Sequence, residues 1–329
     1  MLGFILRRVL KAIPMLILIS VVCFAIIQLP PGDYVTNYAT QLYNMGTQAS
    51  LETLEALRTR YGLGQSVYVQ YLKWVGGFPR GDFGISMAYG NTPVLSLIGE
   101  RFVLTVGISL ATLVISWAIA IPIGVFSATH KYGVADYVLT FVGLVGIAIP
   151  SFLLALTLLF VSVFYLDSPT VGGLFSPQYA EAPWSWAKFL DLLKHLPIPL
   201  LVIGLGGTAG TMRVMRANLL DILDMQYIQT ARAKGLKERV VIWKHAVRIA
   251  INPLVSRLGL YFPQLFAGTV IVSIVLDLPT IGPMFLRSLI AQDMYLAGTV
   301  LFFSAALLIV GNLVADVVLA MIDPRIQHG

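Results

Sequence analysis

The chain has 329 residues, 57% of them hydrophobic and only 12% charged, with a mean hydropathy of +0.83, so it has too little polar surface to cover a soluble globule. Its net charge of +6 does not make nucleic acid an expected partner, because the Lys and Arg residues stand beside apolar runs, where they set orientation and meet anionic lipid. The single Cys23 excludes an intrachain disulfide, and His130, His195, His245 and His328 are scattered rather than grouped at ligand spacing, so no metal site is expected.

Taken in order, Arg7, Arg8 and Lys11 precede an apolar run from about Ala12 to Ile27. No Ala-x-Ala cleavage site follows, and Gln28 to Asp33 reads as a stop, so residues 1–30 are expected to be a cytoplasmic N-terminus and a retained first transmembrane helix rather than a signal peptide. Residues 31–101 turn polar and form a large extracytoplasmic loop, in which Ser50 caps a helix carrying Leu51, Leu54 and Leu57. The Tyr and Trp residues of this loop suit anchoring at the lipid headgroups. A second span is expected at about Phe102–Phe126, and His130-Lys131 returns the chain to the cytoplasm. The third, about Tyr137–Leu166, is overlong at thirty residues and must tilt or bend, with Pro150 offering the bend and Gly143, Gly146 and Ala148 allowing close helix approach.

Between Asp167 and Leu196 the chain is expected outside again. There Trp186, Phe189, Leu190, Leu193 and Leu196 form one helical stripe opposite Lys188, Asp191 and Lys194, which suits a helix lying in the membrane interface. A fourth span, about Pro197–Met212, holds Gly204, Gly206, Gly207 and Gly210, whose spacing is no phosphate cradle and which are expected to serve helix packing through Gly206 and Gly210.

The segment 213–253 is polar and basic where its surroundings are apolar. A short helix is expected from about Asp221 to Lys234, ended by a left-handed Gly235 with Leu236 folding back. A second runs from about Glu238, with Val240, Trp243, Val247 and Ile251 on one face and Lys244 and Arg248 on another, until Asn252-Pro253 breaks it. The run Thr230-Ala231-Arg232-Ala233-Lys234-Gly235-Leu236, followed by Lys244-His245-Ala246 and Pro253, resembles the cytoplasmic coupling loop of the oligopeptide and dipeptide class of ABC importer permeases. The wider superfamily opens this loop with Glu-Ala-Ala, where this chain has Gln229, Thr230 and Ala231, a departure usual in the peptide branch. Tyr61-Gly62-Leu63, Gln70-Tyr71, Trp74, Gly81-Asp82-Phe83-Gly84 and Pro93-Val94 are similar to the same family's extracytoplasmic loop, and Gly146 through Pro150-Ser151-Phe152 to its third helix.

A fifth span is expected at about Leu254–Leu276, followed by Asp277 to Gly282, which resembles the family's turn, although Ser273 stands where relatives commonly carry Glu. The last span, about Leu296–Ile322, carries Asn312 and Asp316, and an intramembrane Asp should face a helix partner or an aqueous cavity. Asp323-Pro324-Arg325 closes the chain as in many relatives. By this topology 14 of the 22 Lys and Arg residues are cytoplasmic, which agrees with both termini inside.

The resemblance implies an all-α polytopic protein with six transmembrane helices of the type I ABC importer permease fold, with residues 102–329 as a five-helix core. It implies a subunit forming half of a translocation pathway, with Gln229 to Leu236, His245 and Pro253 coupling to an ATPase. Pro150, Ser151, Ser273, Asn312 and Asp316 are the pathway or packing candidates. The chain lacks Gly-x-x-x-x-Gly-Lys-Ser/Thr, so ATP and Mg are expected on partner subunits and no cofactor on this one. The implied partners are a second related permease, two ATPase subunits, an extracytoplasmic solute-binding protein and the bilayer of a bacterial or archaeal inner membrane. Di- or oligopeptides are the expected cargo, with oligosaccharides as the alternative. An intramembrane hydrolase finds no Gly-x-Ser-x-Gly or His-Glu-x-x-His, and an ATP-independent carrier or channel finds no clear repeat and one midplane candidate, Asp316.

Overall fold

The structure, a computed structural model, describes residues 2–47, 49–165, 172–258, 260–261 and 270–322. The chain divides into two compact units, residues 1–105 with 280–309 and residues 106–279 with 310–329.

The first unit contains α1 (Leu2–Gln28), three short helices α2 (Tyr34–Asn44), α3 (Leu51–Tyr61) and α4 (Val67–Gly77), and the small antiparallel pair β1 (Ile85–Ser86) and β2 (Thr92–Pro93). It also holds the first part of α5 (Val94–Thr129), and, in the notation used here, α16 (Ile281–Ile290) and the first half of α17 (Met294–Ile322). Its short helices start where the side chains can cap them: Asp33 accepts from the Thr36 amide at 2.7 Å, and Ser50 from the Thr53 amide at 3.2 Å. The unit is held by aromatic packing. Phe24 of α1 stacks on Trp74 of α4 with ring centroids 5.9 Å apart, Trp74 meets Phe78 at 4.9 Å, and Phe78 meets Phe302 of α17 at 4.8 Å. Trp74 is buried and its indole N–H donates to Thr299 at 3.3 Å. Gly298 makes room for it, since a Cβ there would stand 2.9 Å from the indole. These loop aromatics therefore build a core, which replaces the headgroup-anchoring role expected for Tyr71 and Trp74.

The same unit ties its hairpin to α17 through Asp293, a fully buried carboxylate that sequence reading passes over. Asp293 accepts from Ser86 Oγ at 2.6 Å, from the Ala88 amide at 3.0 Å and, as the cap of α17, from the Leu296 amide at 3.2 Å. Burial pushes its carboxyl above the ordinary carboxylate range, against the pull of these hydrogen bonds.

The second unit holds the rest of α5, α6 (Val134–Ala148), α7 (Ser151–Phe164), α8 (Pro177–Ala180), α9 (Trp186–His195) and α10 (Pro197–Leu223). Among the described residues α1, α5, α10 and α17 are long and apolar enough to cross a bilayer. The expected third span is two helices bent by 97°. Pro150 has no amide hydrogen to continue α6 and forces Ile149 into extended backbone, so α6 ends there and α7 begins at Ser151 with Pro150 as its cap. Counting that pair as one gives five candidate spans among the described residues. The expected fifth span falls partly on residues 262–269, outside the described residues, as does the Asp323-Pro324-Arg325 terminus; its described pieces are α14 (Asn252–Ser256) and α15 (Val270–Val275). The second span is also longer than expected, because the helix begins at Val94 and runs 36 residues, about 54 Å at 1.5 Å per residue.

Glycines set the helix contacts of this unit. A Cβ on Gly143 of α6 would stand 2.9 Å from Met212 of α10, and one on Gly146 would touch Leu205. On α10 itself the close contact is at Gly204, where a Cβ would meet Ser116 Oγ of α5 at 3.1 Å, whereas Gly206, Gly207 and Gly210 face open space. The packing expected of Gly206 and Gly210 is thus carried by Gly204.

The helix expected in the membrane interface leaves its apolar stripe on the surface of the unit. Along α9, Lys188, Asp191 and His195 are buried, with Lys188 only 2% exposed, while Trp186 is 73% exposed and Phe189, Leu190 and Leu193 are also on the surface. Asp191 accepts from the Ser176 amide and hydroxyl, both at 2.7 Å, and Lys188 Nζ donates to the Ala182 carbonyl at 2.7 Å while lying 4.7 Å from the Phe175 ring centroid. Lys188 and Asp191 of the expected polar stripe have partners inside the unit and pack inward with His195, whereas Lys194 is exposed.

Candidate functional site

The polar segment after α10 folds into a compact helical layer. α10 runs past the expected end of the fourth span to Leu223, and after a break at Asp224-Met225 comes α11 (Gln226–Ala233), so the helix expected over Asp221–Lys234 is two. α12 (Glu238–Val240) leads into a π-turn over Val241–Ala246, then α13 (Val247–Ala250), a break at Ile251, and α14 with Pro253 in its first turn. The π-turn adds a residue to the helical repeat and rotates everything after it. Consequently Val241, Ala246, Val247, Ala250 and Leu254 are the buried positions, and Val240 and Trp243, expected on the packed face, lie outside.

These buried residues form one cluster with Val125 and Ala128 of α5, Met215, Leu219 and Leu223 of α10, and Ile228 of α11. Ile228 is the single fully buried residue of α11, so it pins that helix to the end of α10. Gln229 adds a hydrogen bond from its side-chain amide to the Leu223 carbonyl at 3.4 Å. Asn218 of α10 donates to the Ala250 carbonyl at 3.2 Å.

α11 ends as its sequence predicts. Gly235 has φ +75°, the Gly235 amide donates to the Arg232 carbonyl at 2.9 Å, and the Leu236 amide reaches back to the Ala231 carbonyl at 3.4 Å. This is the Schellman pair of bonds. The side chain of Leu236 is 42% exposed. Tyr227 at 42% and Trp243 at 46% are exposed with it, while Gln229, Thr230, Ala233, Lys234 and Pro253 are exposed and Ala231 and His245 half-buried. Arg232 is engaged within the layer, its Nη2 donating to Glu238 Oε1 at 2.7 Å and its Nε to both carboxylate oxygens at 3.2 Å. That hydrogen-bonded guanidinium holds the Glu238 carboxyl below its ordinary range and raises Arg232 in turn. A cavity of about 430 Å³ opens beside this pair, lined by His130, Lys131 and Asp224 among others.

A second polar constellation was not foreseen. Arg216 of α10 grips Asp136 of α6 in a two-pronged ion pair, Nε to Oδ1 at 2.8 Å and Nη2 to Oδ2 at 2.7 Å. Arg216 Nε also donates to Ser127 Oγ of α5 at 3.1 Å, Ser127 donates to Asp136, and the Tyr132 amide donates to Asp136 Oδ2 at 3.0 Å. Asp136 is buried. The signal was an acidic residue at the start of an apolar run and a basic one eighty positions on, neither of which has meaning until the helices are paired.

The remaining candidates are not gathered at one place. Pro150 and Ser151 are exposed at the α6–α7 break and Ser273 is buried in α15. On α17, Asn312 is exposed and Asp316 half-buried. Groups of three or more residues able to hold a metal ion are absent among the described residues.

Several apolar spans interrupted by one folded, partly exposed polar layer define a multi-pass membrane protein. Residues 120–328 match the family described as binding-protein-dependent transport system inner membrane component, and residues 1–111 match its N-terminal counterpart. The chain is 37% identical over 328 residues to the oligopeptide transport system permease protein AppB of Bacillus subtilis, covering 100% of both chains. To the glutathione transport system permease protein GsiC of Escherichia coli it is 30% identical over 332 residues, again over 100% of both. The chain belongs to the binding-protein-dependent transport system inner membrane component family, the permeases of the peptide class of ABC importers.

Proposed function

We propose that this chain forms half of the transmembrane pathway of an ATP-driven peptide importer, and that α11 with the Gly235 turn docks into an ATPase subunit. The observation that carries the reading is the layer after α10. Its buried side is anchored on α5 and α10, and its free side presents Tyr227, Leu236 and Trp243 among small and basic residues. Exposed aromatic and aliphatic side chains beside small residues suit a protein partner that approaches closely. Displacement of α11 then moves α10, to which Ile228 and Gln229 fix it, and the pathway opens alternately to either side.

The rest of the assembly follows from this reading. A second related permease completes the pathway, two ATPase subunits carry ATP and Mg, and an extracytoplasmic binding protein delivers the cargo. Both termini and the docking layer are cytoplasmic, in agreement with the bias of Lys and Arg. Peptide is the cargo that the names of the relatives favour.

The test is purification of the native complex through a tag on this chain, reconstitution with its binding protein, and ATP hydrolysis with and without a mixed peptide pool. Co-purification of an ATPase and stimulation by peptides are expected. An ATPase that is active but unstimulated by peptides would redirect the cargo to oligosaccharides, and absence of any ATPase would sink the reading.

A further inference from the structure

We propose that Asp136 and Arg216 form a transmission clamp: a buried ion pair that makes the start of α6 move as one body with α10 and the docking layer, so that displacement of α11 reaches the α6–α7 bend. This rests on the ATPase-docking reading above.

A carboxylate and a guanidinium taken out of water lose hydration that their mutual attraction barely repays, so such a pair is weak evidence for stability as such. Here the geometry is two-pronged and every oxygen of Asp136 is supplied, from Arg216, Ser127 and the Tyr132 amide. A fork-to-carboxylate pair resists both sliding and rotation, which a greasy contact between helices does not. Its position is what gives it a role. Arg216 lies on α10 between Met215 and Leu219, both fully buried in the cluster that holds the docking layer. Asp136 lies two residues into α6, at the end opposite the Pro150 break. Further along, the glycines of α6 meet apolar side chains of α10: Gly143 faces Met212, and Gly146 faces Leu205 and Ala209. Apolar contacts of this kind resist sliding less than a forked ion pair does, so the clamp strengthens the register of α6 on α10. Ser127 adds the end of α5 to the same body. The chain of rigid connections therefore runs from Ile228 through α10 and Arg216 to Asp136, along α6 and into the 97° bend.

The experiment uses the full complex, purified through this chain and reconstituted in proteoliposomes with its binding protein and a mixed peptide pool. Arg216→Lys, Asp136→Asn and the exchange Asp136→Arg with Arg216→Asp are compared with wild type. Three readouts are taken: ATPase co-purification, basal hydrolysis, and stimulation of hydrolysis by the loaded binding protein. Arg216→Lys keeps the charge but loses the fork, so co-purification and basal hydrolysis should hold while stimulation falls about three- to ten-fold. Asp136→Asn should behave alike, and the exchange should recover part of the stimulation. Unchanged stimulation in an assembled Arg216→Lys or Asp136→Asn complex overturns the clamp. So does failure of all three variants to assemble, which would make the pair a purely structural one. If the wild-type chain brings down no ATPase, it is the docking reading that fails, and the two failures are thus told apart.

Discussion

Gly235 has left-handed backbone and open space around its α-carbon, so its requirement is conformational and not steric. A β-branched side chain in that region costs on the order of 1–2 kcal/mol and loosens the stop that ends α11. Gly235→Val should insert and assemble but lose most peptide-stimulated hydrolysis, whereas Gly235→Asn, which tolerates the same backbone, should stay near wild type; equal activity of the two would show that the turn is not needed. Asp293 makes the opposite demand, because its side chain is needed for partners. Asp293→Ala removes three hydrogen bonds from buried groups, so the detergent-solubilised protein should lose about 3 kcal/mol, read as a lower thermal midpoint and faster proteolysis within residues 84–94. The two residues were not equally legible. Gly235 follows a helical run and announces itself, while Asp293 in Gln292-Asp293-Met294 looks like any polar turn until Ser86, more than two hundred positions earlier, is folded against it.

Among the elements, α9 shows how a periodic pattern gives a helix and its two faces while leaving their partners unstated. Trp186, Phe189, Leu190 and Leu193 share one exposed face, and Lys188, Asp191 and His195 are buried on the other, where Ser176 and the Ala182 carbonyl partner them. Burial raises the Asp191 carboxyl, yet the two hydrogen bonds from Ser176 and the nearby His195 and Lys194 outweigh it, and the folded value lies below the ordinary one. A carboxyl lowered on folding stabilises above its unfolded pKa and loses that contribution as pH falls, so protection of residues 176–195 from hydrogen exchange should drop below about pH 4. In Asp191→Asn that step should vanish; a persisting step would assign it elsewhere. The α6–α7 break was half-legible: Pro150 marked the place, but its 97° depends on what α7 packs against. The π-turn was not legible at all, since Val241 to Ala246 satisfies an ordinary helical pattern and only the packing of Ala246 and Val247 against α10 decides between repeats of four and five.

At the level of the whole molecule, the proposed function expects Lys234 to be cytoplasmic and Lys73 extracytoplasmic. In a Cys23→Ser background, Lys234→Cys in inverted vesicles and Lys73→Cys in right-side-out cells should react with a membrane-impermeant maleimide; the reverse pattern would invert the topology. Membership of the family and most spans could be read from hydropathy and the loop motif, because a bilayer imposes a strict length on every helix. What escaped were the long-range polar pairs, which join residues from distant parts of the chain. Two relatives align with this chain over 328 and 332 residues, so the three chains are nearly equal in length. The π-turn marks one place where that length is negotiable: losing a residue between Val241 and Ala246 would tighten the wide turn into an ordinary one and leave α13 facing α10, whereas the same loss within α10 would swing Arg216 and the docking layer about 100° away from their partners.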